Sequence, residues 1–345
     1  MHALILAGGK GTRLRPLTVY TPKPIVPVVN RPFLLYQLDL LRKAGITDVC
    51  LSLGYKPDKI EHSLGDGSEF GVKIRFTTEP NPLGTAGAYG FAATSDSPTI
   101  VLNGDVLTNL DLTKVVQFHK DRKAVATIVL APVANPASYG LVEVDEEQNV
   151  RRFLEKPTQK DIEESQLNTI NAGIYILEPE ILELIPKGEN RSFEYDVFPM
   201  IVEKKMVFSA FNLANSYWRD IGTCQSYLAA HHDYLEGKIP GVEVAESDRD
   251  GAATTSILDK RSVIGSACVI KPGAQIINSV LGVGVTVEEK AVVKDSVIWP
   301  HTRVLASAEI TGAIVGRGSH IGRNAIVGEG SVLGDKTSLP DYSRV

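Results

Sequence analysis

A glycine-rich loop with cations nearby follows the first apolar run of the chain. The run His2–Leu6 predicts a short buried strand, and it breaks into the loop Ala7–Arg13, AGGKGTR. Glycines allow backbone N–H groups to converge on an anion. The cations of this region are Lys10, Arg13, Arg15 and Lys23. These residue types and their spacing predict a loop that binds a polyphosphate.

Two better-known phosphate loops do not fit these residues. A dinucleotide fingerprint, G-x-G-x-x-G, would begin at Gly9 but has Leu14 in place of its third glycine, and the Gly-Lys-Ser/Thr of a P-loop is absent. The stretch from Leu6 through Pro24 instead resembles the signature of the sugar-1-phosphate nucleotidyltransferases, LAGGxGTRLxPLTxxxPKP. The resemblance implies catalytic roles for Arg13, which would neutralise the departing β- and γ-phosphates, and for Lys23, which would contact the α-phosphate. A glycine turn with solvated cations is the alternative.

Composition and charge argue against several classes of partner. A net charge of −5 and a pI of about 5.9 do not suit a general nucleic-acid or acidic-membrane partner, because binding a phosphate backbone requires a basic surface. The three cysteines are widely spaced and fit neither a disulfide framework nor a metal-ligand pattern. No apolar run reaches membrane-spanning length, and the N-terminal run is too short for a signal peptide. We therefore expect a cytoplasmic protein with small-molecule substrates, and no nucleic-acid or membrane partner.

Short apolar runs alternate with helical segments in the first part of the chain. This alternation predicts a parallel sheet, in which ligands bind at the carboxyl ends of the strands. Three loops fall at such ends: Gly8–Arg13, Glu79–Gly87 and Asn103–Asp105. The predicted strands are His2–Leu6, Asp48–Leu53, Lys73–Thr77 and Thr99–Leu102, and the predicted helices are Phe33–Ala44, Asp58–Leu64 and Thr85–Ala93.

Further strands extend this sheet into a mixed one. A closing helix, Gly222–Glu236, precedes a polar stretch, Gly237–Thr255, that reads as a linker. We therefore predict a catalytic domain over residues 1–240 and a linker with a second domain over residues 241–345. The additional predicted strands are Ala124–Ala131, Leu141–Val144, Val150–Leu154, Thr169–Leu177 and Val207–Leu213.

Aliphatic residues recur every six positions beyond Val263. The triplet Ile264, Ile270 and Ile276 is followed by triplets that are each displaced by 17 residues. Such hexapeptide periodicity predicts a parallel β-helix whose aliphatic columns stack into one core. It resembles the left-handed β-helix that follows many of these nucleotidyltransferases. The predicted fold class is therefore α/β: a Rossmann-like mixed sheet, followed by a left-handed parallel β-helix. An ordinary β-sandwich is the alternative.

The family resemblance also implies a nucleotide site. Glu79 would lie against the base, and an ionised carboxylate matches the two adjacent donors of guanine, N1–H and N2–H₂. A solvated loop carboxylate is the alternative. The residues expected to bind the nucleotide are Leu6, Ala7, Gly8, Gly9, Gly11, Thr12, Glu79, Gly84, Thr85 and Asn103.

Two aspartates stand where predicted strands end. Asp105 follows the run Thr99–Leu102, and Asp220 lies in the motif Trp218–Gly222, WRDIG. A few carboxylates together with substrate phosphate oxygens suit Mg²⁺. Either aspartate alone is more often a turn residue or a helix cap, but both lie in stretches that resemble family motifs. We therefore predict that Asp105 and Asp220 bind Mg²⁺ as the cofactor.

Acceptor-side motifs complete the resemblance. It implies that Lys156 binds the sugar phosphate, that Glu155 and Asn171 bind sugar hydroxyls, and that Gly140 lets the sugar approach the backbone. A surface ion pair and an Asx turn are the alternatives for these short motifs.

The substrates expected from these motifs are GTP and mannose 1-phosphate. The segments Glu79–Gly87, Glu155–Pro157 and Ile170–Leu177 most resemble GDP-mannose pyrophosphorylases, although Asn81–Pro82 departs from that subgroup. The alternatives are a glucose-1-phosphate thymidylyl- or uridylyltransferase, a non-catalytic sugar-nucleotide sensor, and a bifunctional enzyme whose β-helix transfers acyl groups. The flat faces and open coil ends of a β-helix also predict a homo-oligomer.

Overall fold

The computed structural model describes residues 1–94, 96–133, 135–137, 139–155, 157–165, 168–213, 215–239, 247 and 250–345. The chain divides into two compact units. The first unit consists of Met1–Gly9 and Tyr36–Trp218, and the second of Lys10–Leu35 and Arg219–Val345. The segment Lys10–Leu35 thus belongs to the same compact unit as the C-terminal part of the chain. The predicted boundary between residues 240 and 241 falls outside the described residues and stays a prediction.

The first 220 residues form thirteen strands and six of the seven α-helices described here. The strands are β1 (His2–Ala7), β2 (Pro27–Val28), β3 (Arg31–Pro32), β4 (Asp48–Leu53), β5 (Lys73–Thr78), β6 (Thr99–Asn103), β7 (Val106–Thr108), β8 (Ala126–Pro132), β9 (Leu141–Val144), β10 (Val150–Leu154), β11 (Thr169–Leu177), β12 (Phe208–Asn212) and β13 (Trp218–Asp220). The helices are α1 (Leu34–Lys43), α2 (Pro57–Leu64), α3 (Gly84–Ala92), α4 (Leu112–Arg122), α5 (Gln159–Ser165), α6 (Phe198–Glu203) and, beyond residue 220, α7 (Cys224–Leu235).

A nine-stranded mixed sheet forms the centre of the first unit. Its main strand order is β10-β9-β11-β6-β1-β4-β5, and β8 pairs with β11 and with β12. The pairs of β1 with β4, β1 with β6 and β4 with β5 are parallel, whereas β11 is antiparallel to β6. Fully buried aliphatic residues of β1 and β4 explain why these strands lack an alternating polar pattern. The predicted Rossmann-like mixed sheet is confirmed.

Helix α4 lies where the sequence pattern predicts no element. Asp111 caps its first turn, because Asp111 Oδ1 accepts a hydrogen bond from Thr113 N at 3.0 Å. Helices α5 and α6 and the hairpin of β2 and β3 are likewise absent from the predicted elements. The helices and strands predicted for this part of the chain are all present, with ends that differ from the predicted ones by at most two residues.

The C-terminal part of the second unit is a three-sided β-helix. Its three sheets have the orders β14-β17-β20-β23-β26, β15-β18-β21-β24-β27 and β16-β19-β22-β25-β28, and every strand pair is parallel. The strands are β14 (Ile257–Leu258), β15 (Val263–Ile264), β16 (Val269–Ile270), β17 (Gln275–Ile277), β18 (Val280–Leu281), β19 (Thr286–Val287), β20 (Val292–Lys294), β21 (Val297–Ile298), β22 (Arg303–Val304), β23 (Glu309–Thr311), β24 (Ile314–Val315), β25 (His320–Ile321), β26 (Ile326–Val327), β27 (Val332–Leu333) and β28 (Ser338–Leu339).

The register of this β-helix confirms the predicted 17-residue coil. Ile264 pairs with Leu281, and Leu281 with Ile298. The last coil is one residue longer, since Val315 pairs with Leu333. The aliphatic columns are buried together in one core.

In three successive coils of the β-helix, one corner is shorter than the other two. The residue at this corner adopts the left-handed backbone conformation. Asn278, Asp295 and Gly312 occupy this corner with φ of 46°, 49° and 60°. Asn, Asp and Gly tolerate this conformation better than other residues do. A ladder of buried serines follows the corner, in which Ser296 N donates to Ser279 Oγ at 3.1 Å.

Across the described ranges, no helix combines the length and apolar character that crossing a bilayer requires.

Candidate active site

The carboxyl ends of three neighbouring parallel strands of the first unit bring Gly8, Gly54 and Glu79 together. Ala7 pairs with Leu53, and a Cβ placed on Gly8 would lie 2.9 Å from Glu79 Oε1. The lack of a side chain on Gly8 therefore leaves the Glu79 carboxylate directly against the backbone of the glycine-rich loop. This contact places two of the residues predicted to bind nucleotide beside each other.

The Glu79 carboxylate has a fixed orientation. Its Oε1 accepts a hydrogen bond from Ser52 Oγ at 2.9 Å, and its Oε2 accepts one from Leu83 N at 3.0 Å. Each carboxylate oxygen can accept more than one hydrogen bond, so both retain capacity for a ligand. A carboxylate held in this way can accept hydrogen bonds from two adjacent donors of a planar ligand without changing its own orientation.

Helix α3 begins at Gly84 and is held through Thr85. The Thr85 hydroxyl donates to Glu194 Oε2 at 2.9 Å and accepts from Phe193 N at 2.9 Å. These bonds tie the start of α3 to the segment that contains Phe193. The Thr85 hydroxyl thus has hydrogen-bond partners within the protein. The contact predicted between Thr85 and the nucleotide would therefore be made by the backbone N–H of this residue.

Asp105 lies in a two-residue turn between β6 and β7. Gln37 holds both sides of this turn, because its Nε2 donates to Asn103 O at 2.8 Å and to Val106 O at 3.0 Å. Gln37 is 2% exposed, so this amide is committed to the turn. The half-buried Asp105 therefore sits on a backbone that is fixed on either side.

A bulge in β11 brings Asn103 and Asn171 to one place. The pairing of β11 with β8 shifts register between Asn171 and Tyr175, and Gly173 adopts a φ of 72°. A Cβ on Gly173 would lie 2.7 Å from Asn103 Nδ2. Asn103 Oδ1 is buried and has no hydrogen-bond partner among the described residues. A buried acceptor of this kind calls for a ligand or water donor.

Tyr175 orients the Asn171 amide. Asn171 Nδ2 donates to Tyr175 Oη at 2.7 Å, and Asn171 Oδ1 accepts from Gly173 N at 2.9 Å. Burial raises the pKa of the Tyr175 phenol well above its ordinary value, which keeps the hydroxyl protonated. One proton of Asn171 Nδ2 remains for a ligand.

Gly140 and Glu155 are neighbours beside this bulge. A Cβ on Gly140 would lie 2.7 Å from Glu155 Oε2, and Gly140 O accepts from Asn171 N at 2.9 Å. Three of the four predicted acceptor-side residues thus lie together in the first unit. The fourth, Lys156, lies outside the described residues.

In the second unit, Gly11 and Lys23 are adjacent. Gly11 adopts a φ of 61°, and a Cβ placed on it would lie 3.1 Å from Lys23 Cβ. Thr18 Oγ1 donates to Gly11 O at 2.7 Å and fixes the turn that follows the glycines. The half-buried Lys23 therefore emerges beside the loop, whereas Gly9 and Thr12 are exposed.

Arg13 and Asp220 meet at Gly222. A Cβ on Gly222 would lie 2.8 Å from Arg13 Nη2 and 3.1 Å from Asp220 Oδ2. The cation predicted to neutralise the leaving phosphates is thus beside a carboxylate predicted to bind metal. A side chain at position 222 would displace the guanidinium.

Asp105 of the first unit and Asp220 of the second each offer carboxylate oxygens, the kind of donor that Mg²⁺ prefers. Both are half-buried carboxylates, and Mg²⁺ prefers oxygen ligands from one or two carboxylates that leave positions for water and phosphate. Within the described ranges, no group of three or more His, Cys, Asp or Glu residues could hold a metal ion.

Sequence reasoning missed Gln37, Ser52 and Gly222. Gln37 interrupts the apolar run LLYQLDLL of α1, and Ser52 interrupts the apolar strand β4. A polar residue inside a buried element requires a partner, which is the signal that could have identified both. Gly222 closes the motif WRDIG but carried no assigned role.

Two families match the chain. The family described as Nucleotidyl transferase matches residues 2–237, and the family described as EIF2B subunit epsilon LbH domain matches residues 246–345. The first match spans well over half of the chain. The chain therefore belongs to the nucleotidyl transferase family, and its predicted family and two-part fold are confirmed.

Similar proteins carry related activities in their names. The mannose-1-phosphate guanylyltransferase of Mycobacterium tuberculosis is 37% identical over 303 residues, covering 85% of this chain and 83% of that protein. The mannose-1-phosphate guanyltransferase of Pichia angusta is 36% identical, covering 92% of this chain and 88% of that protein. The UTP–glucose-1-phosphate uridylyltransferase of Synechocystis sp. is 34% identical, covering 91% of this chain and 87% of that protein. A solved structure of a putative glucose-1-phosphate thymidylyltransferase from Bacillus anthracis, in complex with a sucrose, aligns with a TM-score of 0.61 and 25% identity over 71% of this chain and 98% of that chain.

Proposed function

We propose that this enzyme transfers a guanylyl group from GTP to mannose 1-phosphate, which forms GDP-mannose and pyrophosphate. The observation that carries the proposal is the Glu79 carboxylate, which Ser52 and Leu83 N hold against the glycine-rich loop. The names of the relatives from Mycobacterium tuberculosis and Pichia angusta support the same activity.

The reaction requires two anions to meet. A phosphate oxygen of mannose 1-phosphate forms a bond to the α-phosphorus of GTP, and the bond from that phosphorus to the β-phosphate oxygen breaks. Phosphoryl-type transfer asks the protein mainly for positioning and for neutralisation of charge. The backbone of Gly8–Gly11 would bind the phosphates, with Lys23 at the α-phosphate and Arg13 at the departing pyrophosphate.

We assign the cofactor site to Asp105 and Asp220. Both offer carboxylate oxygens, and Gln37 fixes the backbone on either side of Asp105. When bound, Mg²⁺ supplies positive charge to the phosphate oxygens.

On the acceptor side, Glu155 and Asn171 would bind hydroxyls of the sugar. The Asn171 amide, oriented by Tyr175 and Gly173, offers one remaining proton and a free lone pair. Gly140 would let the sugar approach the backbone, and its lack of a side chain leaves room for the Glu155 carboxylate beside it. Lys156 would bind the sugar phosphate.

Self-association and a cytoplasmic location are also part of the proposal. Exposed apolar side chains on the β-helix, among them Ile257 and Val269, support contact with a second copy. Cys50 and Cys224 are free thiols within the described residues, and this agrees with a reducing compartment.

The Glu79→Gln variant tests the proposed nucleotide. Leu83 N can only donate, so the amide oxygen of the introduced glutamine would face Leu83 and its NH₂ group would face Ser52, which leaves a mixed donor–acceptor edge. Guanine would then meet an unsatisfied donor. We expect kcat/KM for GTP to fall by about 100-fold relative to kcat/KM for dTTP and UTP.

The comparison measures kcat/KM for GTP, UTP and dTTP with mannose 1-phosphate in the wild type and in Glu79→Gln. Ser52→Ala is the matched comparison, because it removes one of the two bonds that orient Glu79 but keeps the carboxylate and its bond from Leu83 N. It should therefore change the ratio much less than Glu79→Gln does. A wild type that prefers UTP or dTTP would favour the activity named for the Synechocystis relative. An unchanged ratio in Glu79→Gln would show that Glu79 does not read the base.

A further inference from the structure

Trp299 interrupts a row of glycines in the β-helix. The residue that follows each strand of the sheet β15-β18-β21-β24-β27 is Trp299 in the third coil and glycine in the other four: Gly265, Gly282, Gly316 and Gly334. Trp299 is 1% exposed, and its indole Nε1 donates to Tyr227 Oη at 3.0 Å. A buried indole N–H requires such a partner. Trp299 therefore joins the β-helix to α7.

Tyr227 extends this connection to the segment Lys10–Leu35. The Tyr227 hydroxyl, which accepts from Trp299, donates its own proton to the carbonyl oxygen of Pro27, the first residue of β2. Tyr227 is fully buried, so water does not compete for these bonds. A continuous hydrogen-bonded path thus runs from the β-helix through α7 to the β2–β3 hairpin.

His231 holds Tyr227 from the other side. Its Nδ1 donates to Tyr227 O at 2.9 Å, and its ring meets the Tyr227 ring edge to face with centroids 4.6 Å apart. Burial lowers the pKa of His231 to about 4, so its ring is neutral at physiological pH. The connection therefore carries no charge.

The tip of the hairpin is attached to the β-helix independently. Asn30 Nδ2 donates to Leu281 O at 2.7 Å. Val29 and Asn30 have φ of 45° and 64°, the combination that a tight two-residue hairpin turn requires. The hairpin is thus held at its tip by Asn30 and at its base by Tyr227.

The hairpin in turn holds the backbone of Lys23. Phe33 N donates to Val26 O at 3.0 Å, and Val26 N donates to Lys23 O at 3.2 Å. Lys23 also lies beside Gly11 of the glycine-rich loop. A displacement of the hairpin would therefore move Lys23 relative to this loop.

The outer face of the sheet that carries Trp299 is also buried. Val297 points away from the β-helix core yet is 3% exposed, whereas Val269, at the equivalent outer position of another sheet, is 47% exposed. This difference marks the Trp299 side of the β-helix as a packed face.

We propose that Trp299 and Tyr227 are positioning residues for Lys23, which lies beside the glycine-rich loop. The β-helix would thereby hold Lys23 in position during catalysis. The role of Lys23 at the α-phosphate rests on the proposed function. On this account the β-helix positions Lys23 through Trp299 and Tyr227, in addition to the self-association proposed for it.

The test compares Trp299→Phe, Tyr227→Phe and their double variant in the full-length protein. Trp299→Phe keeps most of the packing and removes one donor. We expect each single variant to lower kcat by about tenfold, with KM for the sugar 1-phosphate unchanged, because small misplacements of reacting groups cost rate rather than acceptor binding. The double variant should equal Tyr227→Phe alone, since the two bonds lie in series.

Thr302→Val is the control for a loss of β-helix stability. Its hydroxyl donates to Gly316 O at 2.9 Å within the β-helix, so its removal should lower the unfolding midpoint without lowering kcat. Asn30→Gly provides a second route, because glycine keeps the turn and removes only the donor to Leu281. It should lower kcat as Trp299→Phe does.

Amide hydrogen exchange over residues 10–35 gives a readout that needs no substrate. We expect faster exchange there in Trp299→Phe and in Asn30→Gly, but not in Thr302→Val. Unchanged exchange in both variants, or an equal loss of kcat in Thr302→Val, would overturn the positioning role. If this enzyme used another nucleotide and another sugar 1-phosphate, the difference in hydrogen exchange would still be seen. The proposed function and the positioning role can therefore fail separately.

Discussion

Asp105→Asn and Asp220→Asn are each expected to lower kcat by about 10² to 10³-fold while the protein stays folded. Each substitution removes one anionic ligand of the proposed Mg²⁺ site and changes little volume, and loss of a single preorganised electrostatic group in an active site commonly costs on the order of 10² to 10³ in rate. Residual activity should require a higher Mg²⁺ concentration for half-maximal rate. Steady-state rates over a Mg²⁺ titration measure both effects.

Asp111→Asn is the matched control for these variants. Asp111 caps α4 through Thr113 N, and asparagine caps a helix about as well as aspartate does. This variant should therefore keep both activity and the unfolding midpoint. Near wild-type rates in Asp105→Asn and Asp220→Asn at the same Mg²⁺ concentration would contradict the metal assignment.

Arg13→Ala is expected to lower kcat by about 10² to 10³-fold, with a smaller effect on KM for the nucleotide. Negative charge on the departing pyrophosphate grows toward the transition state, so the loss of a guanidinium at that position raises the barrier more than it weakens ground-state binding. Arg13 borders Gly222 together with Asp220, and its removal also leaves this carboxylate without its neighbouring cation. Initial-rate kinetics with varied GTP separate kcat from KM.

Arg15→Ala provides the comparison for Arg13→Ala. Arg15 is also an exposed cation, but it occupies a variable position of the signature, so we expect a change of less than about threefold. Arg13→Lys should restore part of the rate, because it returns the charge without the planar fork of donors. A rise in KM alone in Arg13→Ala would assign Arg13 to ground-state binding.

Local periodicity was sufficient to predict much of the fold. The parallel strands β1, β4 and β6 are mostly apolar runs that end at glycine or polar loops, and the β-helix repeats an aliphatic residue every six positions. Both patterns are properties of neighbouring residues. The signature loop and the strand ends therefore located Gly8, Glu79 and Asp105 correctly at one edge of the sheet.

Long-range contacts explain what the sequence could not predict. Asn30 and Leu281 lie 251 residues apart, so no local pattern indicates that the β2–β3 hairpin packs with the β-helix. The clamp of Gln37 on the Asp105 turn likewise depends on a contact between an α-helix and a strand end. The sequence shows that Trp299 replaces a glycine of the repeat and that Gln37 lies in an apolar helix. Their hydrogen-bond partners, however, are known only from the packing of the folded chain.

The most direct test of the central claim is pyrophosphate release by the purified full-length protein with Mg²⁺, in which each of GTP, UTP, dTTP, ATP and CTP is paired with mannose 1-phosphate, glucose 1-phosphate and galactose 1-phosphate. We expect the highest kcat/KM for GTP with mannose 1-phosphate, with the other nucleotides lower by about 100-fold. A higher kcat/KM for UTP or dTTP with glucose 1-phosphate, or no release with any pair, would contradict it.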